Sequence, residues 1–226
     1  MDLARGIKTG DVPAVARLLH ERPDLVTARF IGRGGGSRTL LHHVADWPGF
    51  FPNGPDMVRA LVAAGADLNA TTEGHAPETP LHWAASSDDA DVAEALIDAG
   101  ADLEIAGGSI AEGTPLVNAV GYACWQVAHL LVRRGAQVDR LWVAAALGRL
   151  ERLNELLAAS TPADVNQAFW HACNGGQIRA ARVLLAHGAD IQFVPDYTRM
   201  TPLAATDAVG TRRGILADWL REHGAT

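Results

Sequence analysis

Two short phrases recur along the chain and keep a fixed distance from each other. The first reads Thr-Pro-Leu or Thr-Leu-Leu, and its copies begin at Thr39, Thr79, Thr114 and Thr201. The second reads Gly-Ala-Asp or Gly-Ala-Gln, and its copies begin at Gly65, Gly100, Gly135 and Gly188. Thr79 and Gly100 are separated by the same interval as Thr114 and Gly135. An in-register repeat of this length predicts a solenoid in which each unit packs against its neighbours.

Each copy contains the signals for a pair of helices. Thr79 is a good helix N-cap through its hydroxyl, and Pro80 suits the first helical position, where no N–H donor is needed. Val92 and Leu96 follow at helical spacing and predict the buried face of a second helix. Gly100 supplies a left-handed residue that ends that helix. The repeating unit is therefore a helix pair followed by a turn.

The segment 79–85, Thr-Pro-Leu-His-Trp-Ala-Ala, resembles the ankyrin repeat, and the resemblance covers nearly the whole chain. It implies an all-α ankyrin-repeat solenoid of about six helix-pair units joined by short finger turns. We expect a single domain over 1–226, with an N-terminal helix pair at 2–22 and an atypical last unit. The units are expected to begin near residues 39, 79, 114, 139, 167 and 201.

A glycine- and arginine-rich link precedes the second repeat. Residues 27–38 contain Gly32 and the run 34–36 together with Arg29, Arg33 and Arg38. The link is either a mobile basic finger or a phosphate-binding loop. Because no Gly-Lys-Ser/Thr element follows it, a flexible finger is favoured.

An aromatic insertion interrupts the second repeat at residues 46–55, Asp-Trp-Pro-Gly-Phe-Phe-Pro-Asn-Gly-Pro. Its prolines and glycines argue against a helix, and its three aromatic rings are costly to leave in water. The rings therefore either pack on the repeats or cover a ligand, and a packed structural loop is favoured.

The fourth repeat is compressed. Its outer helix is joined to the next inner helix by residues 136–140 alone, so that its finger is missing. This spacing predicts a bend or notch near residues 135–145.

Histidine and tryptophan gather at two positions of the first helices. At the fourth position of the phrase, the resemblance implies a structural role for His42 and His82, whose rings would bridge backbone groups of adjacent repeats. The first helices line the concave side in the ankyrin family, so the fifth-position residues are better candidates for groove contacts. These residues are His43, Trp83, Asn118 and His171. Trp142 and Trp170 either pack in the compressed region or form a pocket wall.

Catalytic and metal signals are weak. His42 and Asp46 are four residues apart, which would place an imidazole and a carboxylate on one helical face as a general base or as a plain stabilising pair. With His43 they are the catalytic candidates, but no nucleophile elbow, Walker loop or dinucleotide fingerprint accompanies them. No second His or Cys lies at ligand spacing. We expect neither a metal nor a cofactor, and the sequence favours a protein without enzymatic activity.

Charge and composition narrow the partners. A net charge of −7 and a pI near 5.7 argue against nucleic acid. No stretch is long and apolar enough for a membrane span or a signal peptide. Two cysteines are too few for a disulfide scaffold, which favours a reducing, cytoplasmic compartment. Arginine replaces lysine almost everywhere, which suggests a GC-rich bacterial source.

Three functions remain open from the sequence. The first is a binding module that recognises an unknown protein partner through its concave face. The second is a small-molecule or catalytic pocket bounded by His43, Asp46, Trp47, Trp83, Asn118, Tyr122, Trp170 and His171. Aromatic walls with a few polar groups are what a ligand pocket requires. The third is self-association or an antitoxin-like partnership.

Overall fold

The computed structural model describes residues 2–31, 36–74, 76–207 and 213–226. It is predominantly helical, which confirms the all-α prediction. The chain divides into two compact units, Met1–Gln137 and Val138–Thr226. The expectation of one domain over 1–226 stays a prediction.

The first unit consists of successive helix pairs. The first helices of successive pairs pack side by side, and so do the second helices. Both sets of helices contribute leucines and valines with no exposed surface to the core. The elements are α1 (Leu3–Thr9), α2 (Val12–Glu21), a 3-10 helix (Pro23–Thr27), β1 (Phe30–Ile31), β2 (Ser37–Arg38), α3 (Leu40–Val44), α4 (Gly54–Ala63), α5 (Pro80–Ser87), α6 (Ala90–Asp98), α7 (Pro115–Gly121) and α8 (Trp125–Arg133).

The helix ends follow the sequence signals. The Thr79 side chain accepts a hydrogen bond from the backbone N–H of His82, and Pro80 occupies the first turn of α5. Asp89 caps α6 by accepting from the N–H of Val92, a common role for an aspartate directly before a helix. Gly100 adopts φ +102° just after α6, where an L side chain would be strained.

The described residues of the link at 27–38 include two short paired strands, where a flexible finger was expected. β1 and β2 pair antiparallel, with Ile31 opposite Ser37. Arg29 donates to the Ser37 hydroxyl at 2.8 Å, and Ser37 and Glu73 exchange two backbone hydrogen bonds of 3.0 Å. The described part of the link is therefore anchored to the next finger, a long-range pairing that the glycine-rich composition does not reveal. Residues 32–35, which include Arg33, lie outside the described residues.

The aromatic insertion differs from the expected packed loop. Trp47 and Phe50 are 79% and 63% exposed, so the prediction of packing is wrong for these two rings. The loop backbone is held instead, because the Phe50 N–H donates to the Asp89 carboxylate at 2.6 Å. The predicted range of 46–55 is also too long, because α4 begins at Gly54. A proline at the start of a helix is compatible with that boundary.

The second unit is again helical. Its core lies where its first and third helices pack together, around the fully buried Phe169. Residues 134–140 join α8 to α9, and the bend expected near them stays a prediction. The elements are α9 (Leu141–Ala146), α10 (Leu150–Leu157), α11 (Pro162–Asn174), α12 (Ile178–Ala186), α13 (Pro202–Ala205) and α14 (Arg213–Glu222).

The long helix α11 begins earlier than residue 167, near which a repeat was expected to start. Thr161 caps it by accepting from the N–H of Asp164, while the Asp164 carboxylate accepts from the N–H of Thr161. This reciprocal cap and the proline at position 162 are a recognisable start signal. The sequence therefore contained the signal, and the shifted register of this repeat obscured it.

Candidate functional site

A cavity of about 220 Å³ opens in the first unit, beside α5. The loop after α3, the helix α5, the finger before α7 and the turn after α7 each contribute to its wall. Among the described residues that line it, the charged ones are two acids, and the large ones are aromatic. The lining residues are Ala45, Asp46, Trp47, Glu78, Trp83, Ser86, Ser87, Ser109 and Tyr122.

Glu78 is oriented by two hydrogen bonds. Its Oε1 accepts from the Asn118 side-chain amide at 2.7 Å and from the Ser109 backbone N–H at 2.8 Å. Burial would raise the pKa of Glu78, but these hydrogen bonds outweigh it, so the pKa lies below its ordinary value. Glu78 is therefore an anion at neutral pH. The fully buried Asn118 acts on the cavity through Glu78, which it positions.

Asp46 lies on another wall of the cavity, next to a cation from β2. The Arg38 guanidinium is 3.3 Å from Asp46 Oδ2, and its Cζ lies 5.5 Å from the centroid of the Trp83 ring. Because α3 ends at Val44, Asp46 is beyond the helix on which the sequence paired it with His42. Asp46 forms its ion pair with Arg38 instead.

His42 and His82 link adjacent repeats. The Nε2 atoms of their rings bond to the carbonyls of Glu78 at 2.9 Å and Gly113 at 3.1 Å. The Nδ1 atoms accept from the backbone N–H of Thr39 and Thr79. Burial lowers the pKa of His42 to about 4, so this ring is neutral at pH 7. The structural role implied by the ankyrin resemblance is confirmed, and both ring nitrogens of His42 are occupied.

His43 lies in the core of the first unit, outside the described lining of the cavity. Its ring is 7% exposed and packs edge-on against Phe30, with ring centroids 4.5 Å apart. Burial lowers the pKa of His43, which keeps the ring neutral. Neither ring nitrogen has a hydrogen-bond partner among the described residues. Its proposed groove contact stays a prediction.

Trp170 and His171 belong to the second unit, where they form an aromatic cluster with Trp142 and Tyr197. The centroid of the His171 ring lies 4.5 Å from that of Trp142 and 5.1 Å from that of Trp170. The Nε2 atom of His171 is 2.9 Å from the Tyr197 hydroxyl oxygen. The Trp170 indole N–H donates to the Met200 carbonyl at 2.8 Å. Burial lowers the pKa of His171 to about 3, so the cluster is uncharged at neutral pH.

The cavity thus contains half of the ligand-binding residues that the sequence singles out: Asp46, Trp47, Trp83 and Tyr122. The sequence does not single out the acid Glu78, although this residue stands directly before Thr79, the N-cap of α5. The hydroxyl groups were missed as well, because a serine carries little signal by itself. They are those of Ser86, Ser87 and Ser109.

Neither a metal centre nor a membrane span is found in the described ranges. Within 2–31, 36–74, 76–207 and 213–226, no group of three or more His, Cys, Asp or Glu side chains is placed to hold a metal ion. Over the same residues, no helix combines the length and the apolar character needed to cross a membrane. Cys124 and Cys173 are free and buried, and burial raises the pKa of both thiols.

Comparison with known proteins identifies the repeat. A family model described as ankyrin repeats (3 copies) matches residues 3–106 and 41–140. The crystal structure of the ankyrin repeat domain of Bcl-3, a unique member of the IkappaB protein family, is 26% identical, with 98% of each chain covered and a TM-score of 0.55. The human ASB11 ankyrin repeat domain is 17% identical, with 100% of this chain and 99% of that one covered and a TM-score of 0.57. No curated protein is significantly similar in sequence.

Proposed function

Because the chain belongs to the ankyrin-repeat family, we propose that it is a binding module for a protein partner. Ankyrin repeats generally mediate protein–protein interaction. The proposed surface is the face of the first helices in the first unit, α3, α5 and α7, together with the loops at their ends. This face corresponds to the concave side of ankyrin domains.

The observation that carries this proposal is the exposure of aromatic rings around a preformed cavity. Trp47 is 79% exposed and Tyr122 is 48% exposed, and both line the cavity; the exposed Phe50 belongs to the same loop as Trp47. Large exposed apolar groups of this kind mark interaction surfaces. Tryptophan and tyrosine are also the residues that contribute most to binding energy at protein interfaces.

The size of the cavity favours a protein over a metabolite. Pockets for drug-sized small molecules have volumes of roughly 300–1,000 Å³. At about 220 Å³ the cavity is smaller than that range and suits a single side chain of a partner.

The catalytic alternative has less support from the same residues. The His42 nitrogens are bonded within the fold, and Asp46 is paired with Arg38. His43 is buried outside the described lining. The cytoplasmic location and bacterial source expected from the sequence also remain predictions.

A quantitative capture experiment tests the protein-binding proposal. The immobilised full chain is incubated with lysate of the source organism, beside a double variant Trp47→Ala/Tyr122→Ala. Both side chains are substantially exposed, so the double variant should fold. A matched control is Ile215→Ala in α14 of the second unit, where the side chain is 74% exposed.

We expect at least one protein to be enriched by the wild type and by Ile215→Ala and to be lost with Trp47→Ala/Tyr122→Ala. An identical set of proteins captured by all three chains would contradict the proposal. Circular dichroism of each variant establishes that lost capture is not lost folding.

A further inference from the structure

We propose that the cavity binds the guanidinium group of an arginine side chain of the partner protein. This inference rests on the proposed function, because it names the chemical group that the same surface recognises. It is carried by three properties of the cavity wall: its net charge, its hydrogen-bonding capacity and its aromatic rings.

The charge of the wall favours a cation. Asp46 and Glu78 contribute two carboxylates, and Glu78 stays ionised because its pKa is lowered. Arg38 neutralises one of them through its ion pair with Asp46. The Glu78 carboxylate keeps its hydrogen bonds to neutral donors, which leave its charge in place. One additional cation would therefore balance the described charges at this wall.

Two serine hydroxyls at the wall use their hydrogens within the fold, which leaves their oxygens as acceptors toward the cavity. The Ser86 hydroxyl donates to the His82 carbonyl at 2.9 Å, and the Ser87 hydroxyl donates to the Trp83 carbonyl at 3.0 Å. A serine oxygen has two lone pairs. One lone pair of Ser86 accepts from the Asn118 side-chain amide at 3.3 Å, so Ser86 keeps one acceptor for a ligand, while Ser87 has two. With the carboxylate oxygens, they form a wall that suits a ligand rich in N–H donors.

The aromatic rings suit a flat cation. Trp47, Trp83 and Tyr122 line the cavity, and tryptophan attracts cations most strongly through its ring face. The protein already shows this contact, since the Arg38 guanidinium lies 5.5 Å from the Trp83 centroid while it pairs with Asp46. A second guanidinium from a partner would use the same combination of ring and carboxylate with Glu78.

Among organic cations, the guanidinium matches the wall best. It carries five N–H donors in a planar fork, can bind a carboxylate through two parallel hydrogen bonds, and stacks on aromatic rings. A lysine ammonium carries three donors and no flat face, and a quaternary ammonium carries no donor at all. The acceptor-rich, ring-lined wall therefore favours arginine over both.

Selection from a random peptide library displayed on phage, with the full chain as bait, tests this proposal. We expect the selected peptides to be enriched in arginine over lysine. In the strongest binder, replacing the shared arginine by citrulline, which is neutral and of the same shape, should weaken the dissociation constant at least about tenfold, because a charge-assisted hydrogen bond is lost.

Two variants of the cavity wall test whether the arginine of the peptide binds there. Glu78→Gln keeps an oxygen that can accept from Ser109 and Asn118 but removes the charge, and Trp83→Phe keeps an aromatic ring of lower cation affinity. Each should weaken the arginine peptide several-fold more than the citrulline peptide, whereas Ile215→Ala should change neither. Because the comparison between the two peptides is made on the same variant, partial loss of folding cannot imitate this result.

Agmatine, a small molecule with the same guanidinium, separates a protein from a free metabolite as the source. It should compete with the selected peptide yet bind at least about tenfold more weakly, because the peptide makes further contacts. Agmatine binding without any selected peptide would overturn the protein source. Equal binding of the arginine, lysine and citrulline peptides would overturn the guanidinium. Peptide binding that Trp47→Ala/Tyr122→Ala abolishes but citrulline leaves unchanged would refute this inference and leave the proposed function standing.

Discussion

The two units use the aromatic residues of their first helices in different ways. In the first unit, Trp83 borders an open cavity together with Trp47, which is mostly exposed. In the second unit, Trp170 and His171 are each 4% exposed and pack ring against ring. Trp83 and His171 occupy the same position of the repeat phrase. The position in the repeat therefore does not decide whether an aromatic residue serves packing or binding.

The segment that follows each helix pair makes the difference. In the first unit, the finger before α7 brings Ser109 to Glu78, so that polar groups border the cavity. In the second unit, the segment before α13 brings the Tyr197 hydroxyl to His171 and the Met200 carbonyl to the Trp170 indole. The same kind of helix face is thus covered in one unit and left open in the other.

The largest expected effect that sharpens this comparison is at Trp170. Trp170→Ala should lower the free energy of unfolding by about 3–5 kcal/mol, because it removes a large buried side chain and leaves a cavity. Urea denaturation followed by circular dichroism measures the change. Trp170→Phe serves as the matched control and should cost less, since it keeps a ring in the cluster. A loss below about 1 kcal/mol for Trp170→Ala would mean that this cluster is not a packed core.

An intermediate effect is expected from acid. The pKa of buried His171 is about 3 in the folded chain against an ordinary value of 6.5, so protonation favours the unfolded chain. The stability that depends on the neutral ring is complete above pH 6.5 and declines as the pH falls toward 3. Between pH 7 and pH 5 this decline should amount to about 2 kcal/mol.

The comparison that isolates His171 is its replacement by a ring that cannot titrate. His171→Phe should lose less stability than the wild type over the same pH interval, by about the 2 kcal/mol expected for the imidazole. His42, His43 and His82 also have lowered pKa values, but they contribute equally to both proteins. Parallel pH dependences of the two proteins would show that burial does not lower the pKa of His171 as expected.

The smallest effect on stability is expected at Trp47. Its ring is 79% exposed, so Trp47→Ala should change the free energy of unfolding by less than about 0.5 kcal/mol. The same denaturation experiment measures it. A loss above about 2 kcal/mol would show that the loop packs as the sequence favoured and would weaken the contrast with Trp170.

The sequence predicts the repeated helix pairs because each repeat carries its own caps and helix stops. The Thr79 cap and the left-handed Gly100 are local features, and the structure has them where the pattern places them. The bridging role of His42 and His82 is also available from the family resemblance.

What the sequence does not reveal depends on contacts between distant segments. The strand pairing of residues 30–31 with 37–38 and its attachment to Glu73 has no local signal. Glu78 becomes a site residue only when Asn118 and Ser109 fold against it. His171 shares a repeat position with Trp83, yet Tyr197 covers it.

The most direct test of the central claim is fluorine NMR of the full chain with 5-fluorotryptophan at all six tryptophans. The resonances are assigned by single Trp→Phe variants, and the protein is titrated with agmatine. We expect saturable shifts of the Trp47 and Trp83 resonances, with the Trp142 and Trp170 resonances unchanged. Saturable shifts confined to Trp142 and Trp170, or no saturable shift at Trp47 and Trp83, would contradict it.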